Sequence, residues 1–131
     1  MADRLGAISS DLTLAEVSIR GAIGDQTLSD VQITRLVYWY YAVFVNFEDQ
    51  FYQHEQGLID DSSLESMLGG VKGFAQSPGG RAAWMVLQSR FDPKFKSFFG
   101  GLMESNAVVT SVSLAAAWRA QVTAEMLARP A

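Results

Sequence analysis

The sequence predicts an all-α, single-domain bundle of five to six helices around one long central helix, and three observations point to it. Apolar residues recur at helical spacing, and no segment alternates strictly over a strand's length. Helix-start signals of Ser or Asp followed by Pro, or by Gln or Glu three residues on, recur along the chain and alternate with Gly stops. A chain of 131 residues that is 49% hydrophobic and has no Cys is one domain in size, residues 1–131, with enough apolar mass to need no staples.

The elements follow in order. A first helix is expected over 10–23, weakened towards its end by Gly21 and stopped by the turn Gly24-Asp25. Ser29 with Gln32 forms a capping box and starts the second helix, which runs over 30–56 to the stop at Gly57. At 1.5 Å per residue it is about 40 Å long, the spine of the domain. Leu58-Ile59 extends the apolar line past that stop, as in a helix end closed by a hydrophobic contact. Ser62 with Glu65 reads as a second capping box, with Asp60 and Asp61 supplying negative charge, so the third helix covers 63–74. Gly69, Gly70 and Gly73 lie inside it; they cost helix stability and so point to close approach of another helix, or to a fraying end. Ser77-Pro78 starts the fourth helix over 78–90, and Asp92-Pro93 starts the fifth over 93–104 with Phe95, Phe98, Phe99 and Leu102 on one face. The sixth, over 108–128, is rich in Ala, Val, Ser and Thr, with Trp118 its one bulky aromatic.

The second helix carries the most information. With Phe44 at the middle of the wheel, Leu36, Val37, Tyr40, Phe47, Phe51 and His54 lie near it or to one side. Tyr41, Tyr52, Glu48 and Glu55 lie on the other side within the same half. A carboxylate among Phe and Tyr is costly unless it is met, so Glu48 is expected to be largely buried and to find Arg81, Arg90 or N–H groups at a helix start. Trp39 and Asn46 fall opposite Phe44, with Tyr38 and Val43 on the flanks. The first half of the helix is therefore apolar nearly all round, which requires cover on every side.

Composition excludes several functions. Net charge is −4 with no Lys/Arg cluster, which leaves little for a nucleic-acid backbone to bind. The absence of Cys removes disulfides, thiolate metal sites and thiol nucleophiles, and the single His54 removes His-rich metal sites. We expect no metal and no cofactor. Asp60, Asp61 and Glu65 lack the spacing of a Ca²⁺ loop. Met1 to Gly6 includes Asp3 and Arg4 with no apolar run behind them. The longest nearly apolar stretch, Leu36 to Phe47, is too short to span a bilayer. The expectation is a soluble, acidic, cytoplasmic chain without direct membrane insertion.

From Leu36 to Met103 the chain resembles a family of uncharacterised bacterial proteins. The resemblance lies in Phe47-Glu48-x-x-Phe51-Tyr52-Gln53-His54 and Gly57-Leu58-Ile59-Asp60-Asp61. It continues in Ser77-Pro78-Gly79-Gly80-Arg81 with Trp84, and in Arg90-Phe91-Asp92-Pro93-x-Phe95 with Phe98. It covers roughly half the chain and implies a helical fold. Members often carry this segment behind an N-terminal membrane helix, which implies a place at the inner face of a membrane in a full-length form. That helix is absent here, the segment after Met103 is longer than the family pattern, and the resemblance supplies no catalytic residue.

The function expected is a non-catalytic helical interaction or regulatory module that self-associates, most simply as a homodimer, with a further protein partner open. Its interface would use Trp39, Val43 and the Val108–Trp118 segment. The alternative is a small-ligand-binding or hydrolytic enzyme using Glu48 and His54 in a cavity between helices, with Tyr41, Glu48, Tyr52 and Arg81 as ligand-binding candidates. Glu48 and His54 are splayed by about 120° on one helix and cannot chelate one ion in the i, i+4 manner. Gly79-Gly80-Arg81 at a helix start could receive an anion, but it lacks phosphate-loop spacing and reads better as a tightly packed start.

Overall fold

A computed structural model describes residues 15–106 and 114–129, and every element among them is helical. The first helix, α1, spans 15–22 within the described residues. It is followed by α2 (Asp30–Glu55), α3 (Asp61–Gln76), α4 (Pro78–Leu87), a 3₁₀ turn (Gln88–Arg90), α5 (Pro93–Ser105) and α6 (Leu114–Ala128). The expected parts of the first and sixth helices at 10–14 and 108–113 lie outside the described residues.

Local chemistry accounts for the boundaries. Ser29 Oγ accepts the Gln32 N–H at 3.2 Å while Gln32 Oε1 accepts the Ser29 N–H at 2.8 Å, the reciprocal box expected there. At the other end of α2, Leu58 N–H donates to Gln53 O at 2.8 Å and Gly57 N–H to His54 O at 3.0 Å. With Gly57 at φ +75° this is a Schellman stop. Its usual hydrophobic seal is not made, contrary to expectation, because Leu58 is exposed. The start of α3 also differs from the reading. Asp60, not Ser62, is the cap, accepting the Ser63 N–H at 2.8 Å, so the helix begins two residues early.

The core is aromatic. Tyr40, Phe44, Phe47 and Phe51 of α2 meet Trp84 of α4, Phe91, and Phe95 and Phe99 of α5. Phe44 is fully buried, with its ring 5.3 Å from that of Phe99 and 5.6 Å from that of Trp84, both edge-on. Such packing adds about 0.5–1.5 kcal/mol per pair to the area buried. α3 completes the wall with Met67, Val71 and Ala75.

The glycines divide into two groups. A Cβ on Gly79 would lie 1.9 Å from Gly21 O, and one on Gly80 would lie 2.5 Å from Phe74 O. The start of α4 is therefore pressed against α1 and the end of α3. Gly69, Gly70 and Gly73 have nothing within 4 Å of such an atom. Among the described residues no helix approaches them closely, and α3 runs past them to Gln76.

α6 stands apart in character. None of its residues 115–128 is buried. Among the described residues, no helix is long and apolar enough to cross a membrane.

Candidate functional site

The polar residues singled out on α2 sit at positions 48, 52 and 55, one stripe of the helix, and this stripe meets the start of α5. Glu48 is half-buried rather than fully so. Its Oε2 accepts the backbone N–H of Asp92, the cap of α5, at 3.2 Å. A helix-terminal N–H was one of the partners expected, but it belongs to α5 and not to α4, and neither arginine reaches it. Tyr52 donates its hydroxyl to Asp92 Oδ2, which also accepts the Lys94 N–H at 3.0 Å. Lys94 Nζ lies 2.6 Å from Glu55 Oε2. Five side chains, Glu48, Tyr52 and Glu55 with Asp92 and Lys94, thus fasten the second half of α2 to the first turn of α5.

These bonds set the ionisation of the cluster. The Tyr52 phenol is pushed up to about 12, chiefly because deprotonation would leave it facing the Asp92 carboxylate. Asp92 is held below its usual range by the Tyr52 hydroxyl first and then by the Lys94 N–H. Glu55 is lowered by its bond to Lys94 and by that ammonium's charge.

The remaining candidates are engaged elsewhere. His54 places Nε2 2.8 Å from Asp61 Oδ1; an ionised carboxylate only accepts, so that nitrogen carries the proton. The contact ties the last turn of α2 to the first turn of α3, where the Asp61 carboxylate faces the positive end of α3. Arg81 Nη1 donates to Ala75 O, Met103 O and Asn106 O at 2.7, 2.7 and 2.8 Å. The guanidinium answers the orphan carbonyls closing α3 and α5, rather than a carboxylate or an anion. Tyr41 packs its ring 5.7 Å from Phe91, under the Arg90 guanidinium at 5.6 Å. Glu48 and His54 therefore make separate contacts at two different helix junctions.

Four surface depressions of 590, 380, 320 and 240 Å³ are present, and Tyr41, Glu48, Tyr52, His54 and Arg81 line none of them. The 590 Å³ depression lies along α5 and is open and polar, with Lys96 and Glu104 on its rim. The 380 and 240 Å³ depressions share Ile33, Val37 and Val86, forming one apolar trough between α2 and α4 that α1 closes at one end. Sequence reasoning did not mark this trough; its signal is the apolar first half of α2, which requires cover on every side. The 320 Å³ notch on the other flank holds Trp39 with Gly70, Gly73 and Phe74.

Of the three interface candidates, Trp39 is 42% exposed and Trp118 66%, while Val43 is half-buried against the core. Trp39 is partly covered by its own chain, with its ring 6.1 Å from that of Phe74. Among the described residues, no group of three His, Asp or Glu side chains could hold a metal ion. Comparison with protein families, with curated proteins and with solved structures finds no match to this chain.

Proposed function

We propose that this chain is a non-catalytic helical interaction module that works as a self-associating, two-fold dimer. The observation that supports this reading is the exposed apolar side of α6. Trp118 is 66% exposed, Met126 72% and Leu127 83%. A helix of this length is marginal in water by itself, and burying each of those three side chains is worth about 1.5–3 kcal/mol. Tyr38, Val86, Met85 and Ile19 are exposed apolar residues on the other helices, so apolar surface is unpaired on both sides of a self-complementary contact. Trp118 belongs to that surface, while Trp39 lies on the other flank of α2 beside Phe74 and Val43 is half-buried.

The module is favoured over the hydrolytic alternative because Glu48 Oε2 and His54 Nε2 are engaged at two different helix junctions. On the family resemblance, the module would serve in the cytoplasm, at the inner face of a membrane in forms that carry a membrane helix, and a second protein partner would meet the same apolar surface. Sedimentation at micromolar concentration tests the reading. A dimer that Trp118→Asp converts to monomer supports it, and a wild-type monomer across that range overturns it.

A further inference from the structure

Resting on that self-association, we propose that α6 of one copy lies in the α2–α4 trough of a second copy, with the exchange reciprocal about a two-fold axis. Among the described side chains, none of α6 lines the trough of its own chain. The trough walls are Ile33 and Val37 of α2 and Val86 of α4, with Val86 69% exposed. At the end nearer α1 the lining is Gly21, Gly24, Gly79 and Ala82, small enough to admit a helix backbone closely. α6 offers Trp118, Val122 and Met126 at i, i+4 and i+8, one stripe of the right chemistry for such a groove.

Charge selects the occupant and its direction. Residues 15–106 carry eleven carboxylates against seven Lys and Arg, whereas 114–129 carry two Arg and one Glu. Asp25 lines the trough at the α1–α2 turn and Arg90 lines the other end. Beside Asp25, Arg20 pairs with both Asp25 and Glu16, which leaves that end, with Asp30 at the start of α2, acidic on balance. On α6, Arg119 and Glu125 flank the apolar stripe on opposite sides, six residues or about 9 Å apart along the axis. Laid parallel to α2, the helix brings Arg119 to the acidic end and Glu125 towards Arg90. The reverse orientation sets like charges against each other at both ends. Reciprocal docking buries two helices, and a stable dimer needs about 1,000 Å² or more in total.

The chain has no cysteine, so engineered thiols report cleanly. Two variants, Val86→Cys and Met126→Cys, are purified separately, mixed and treated with a short bismaleimide, with Ser63→Cys as an off-interface control. The expected result is a covalent mixed dimer as the main product, several-fold above either variant alone and above mixtures with the control. Trp118→Ala should raise the dimer dissociation constant by about tenfold or more. A sedimenting dimer without the mixed product leaves self-association standing and overturns this docking. A chain carrying both thiols that links internally as a monomer overturns it too, placing α6 back on its own trough. A monomeric wild type removes the self-association reading itself.

Discussion

Replacing Gly70 with Ala should stabilise the protein, and the same replacement at Gly79 should destabilise it. Gly70 is exposed in the middle of α3, and a Cβ there meets nothing within 4 Å. The change then acts through backbone entropy alone, a gain of about 0.8–1 kcal/mol, or roughly 4 °C in Tm for a domain of this size. At Gly79 the added atom would lie 1.9 Å from Gly21 O and 2.7 Å from Gly21 C. Both belong to backbone, so α1 and the start of α4 must part. Overpacking of that kind costs about 1–3 kcal/mol, and the small propensity gain in a first turn does not offset it. Gly21→Ala falls between the two, since its Cβ would meet the movable tip of Leu36 at 2.1 Å. Thermal unfolding followed by circular dichroism, with urea titration for the free energy, reads all three. A Gly70→Ala protein that melts below the parent would mean that something packs on the glycine face of α3. A Gly79→Ala protein as stable as the parent would refute the α1–α4 contact.

Ser77 caps α4 by accepting the Gly80 N–H at 3.0 Å, so Ser77→Ala should cost about 1 kcal/mol in urea unfolding. Arg81→Ala strips the donor from three carbonyls and should cost about 2–3 kcal/mol, with faster hydrogen exchange in the last turns of α3 and α5 and only partial recovery in Arg81→Lys. The Tyr52–Asp92 bond should be visible in pH dependence at both extremes. Tyr52 has a folded value of about 12 against 10.0, so its contribution is complete below pH 10 and is lost as pH rises towards 12; Tyr52→Phe should abolish that alkaline loss. Asp92 and Glu55 are lowered on folding, so their contribution is present above the ordinary carboxylate range and disappears as pH falls through the folded values; the acid midpoint should move up in Tyr52→Phe.

How much of this was legible depended on how local the causes were. Ser29 with Gln32, Ser77 before Pro78 and Asp92 before Pro93 each settle a helix start within four residues, and all three were read correctly. At the start of α3 the Ser62–Glu65 spacing pointed to Ser62, with Asp60 read only as negative charge, whereas Asp60 is the residue that takes the Ser63 N–H. The wheel placed Glu48 on the apolar side and a helix-start N–H was among the partners expected, but which helix supplies it depends on a contact 44 residues away. Arg81 was misjudged for the same reason, since its partners are carbonyls 6, 22 and 25 residues distant. Glycines at 69, 70 and 73 read like those at 79 and 80, because close approach is a property of the neighbour and not of the glycine.

The claim that α6 is covered by another copy is tested most directly by hydrogen exchange across residues 114–129 at protein concentrations above and below dimer dissociation. The account predicts slow exchange in the concentrated sample, lost on dilution together with the protection of residues 31–38 and 82–90. Exchange across α6 that is fast at every concentration, or slow and unchanged by dilution, would contradict it.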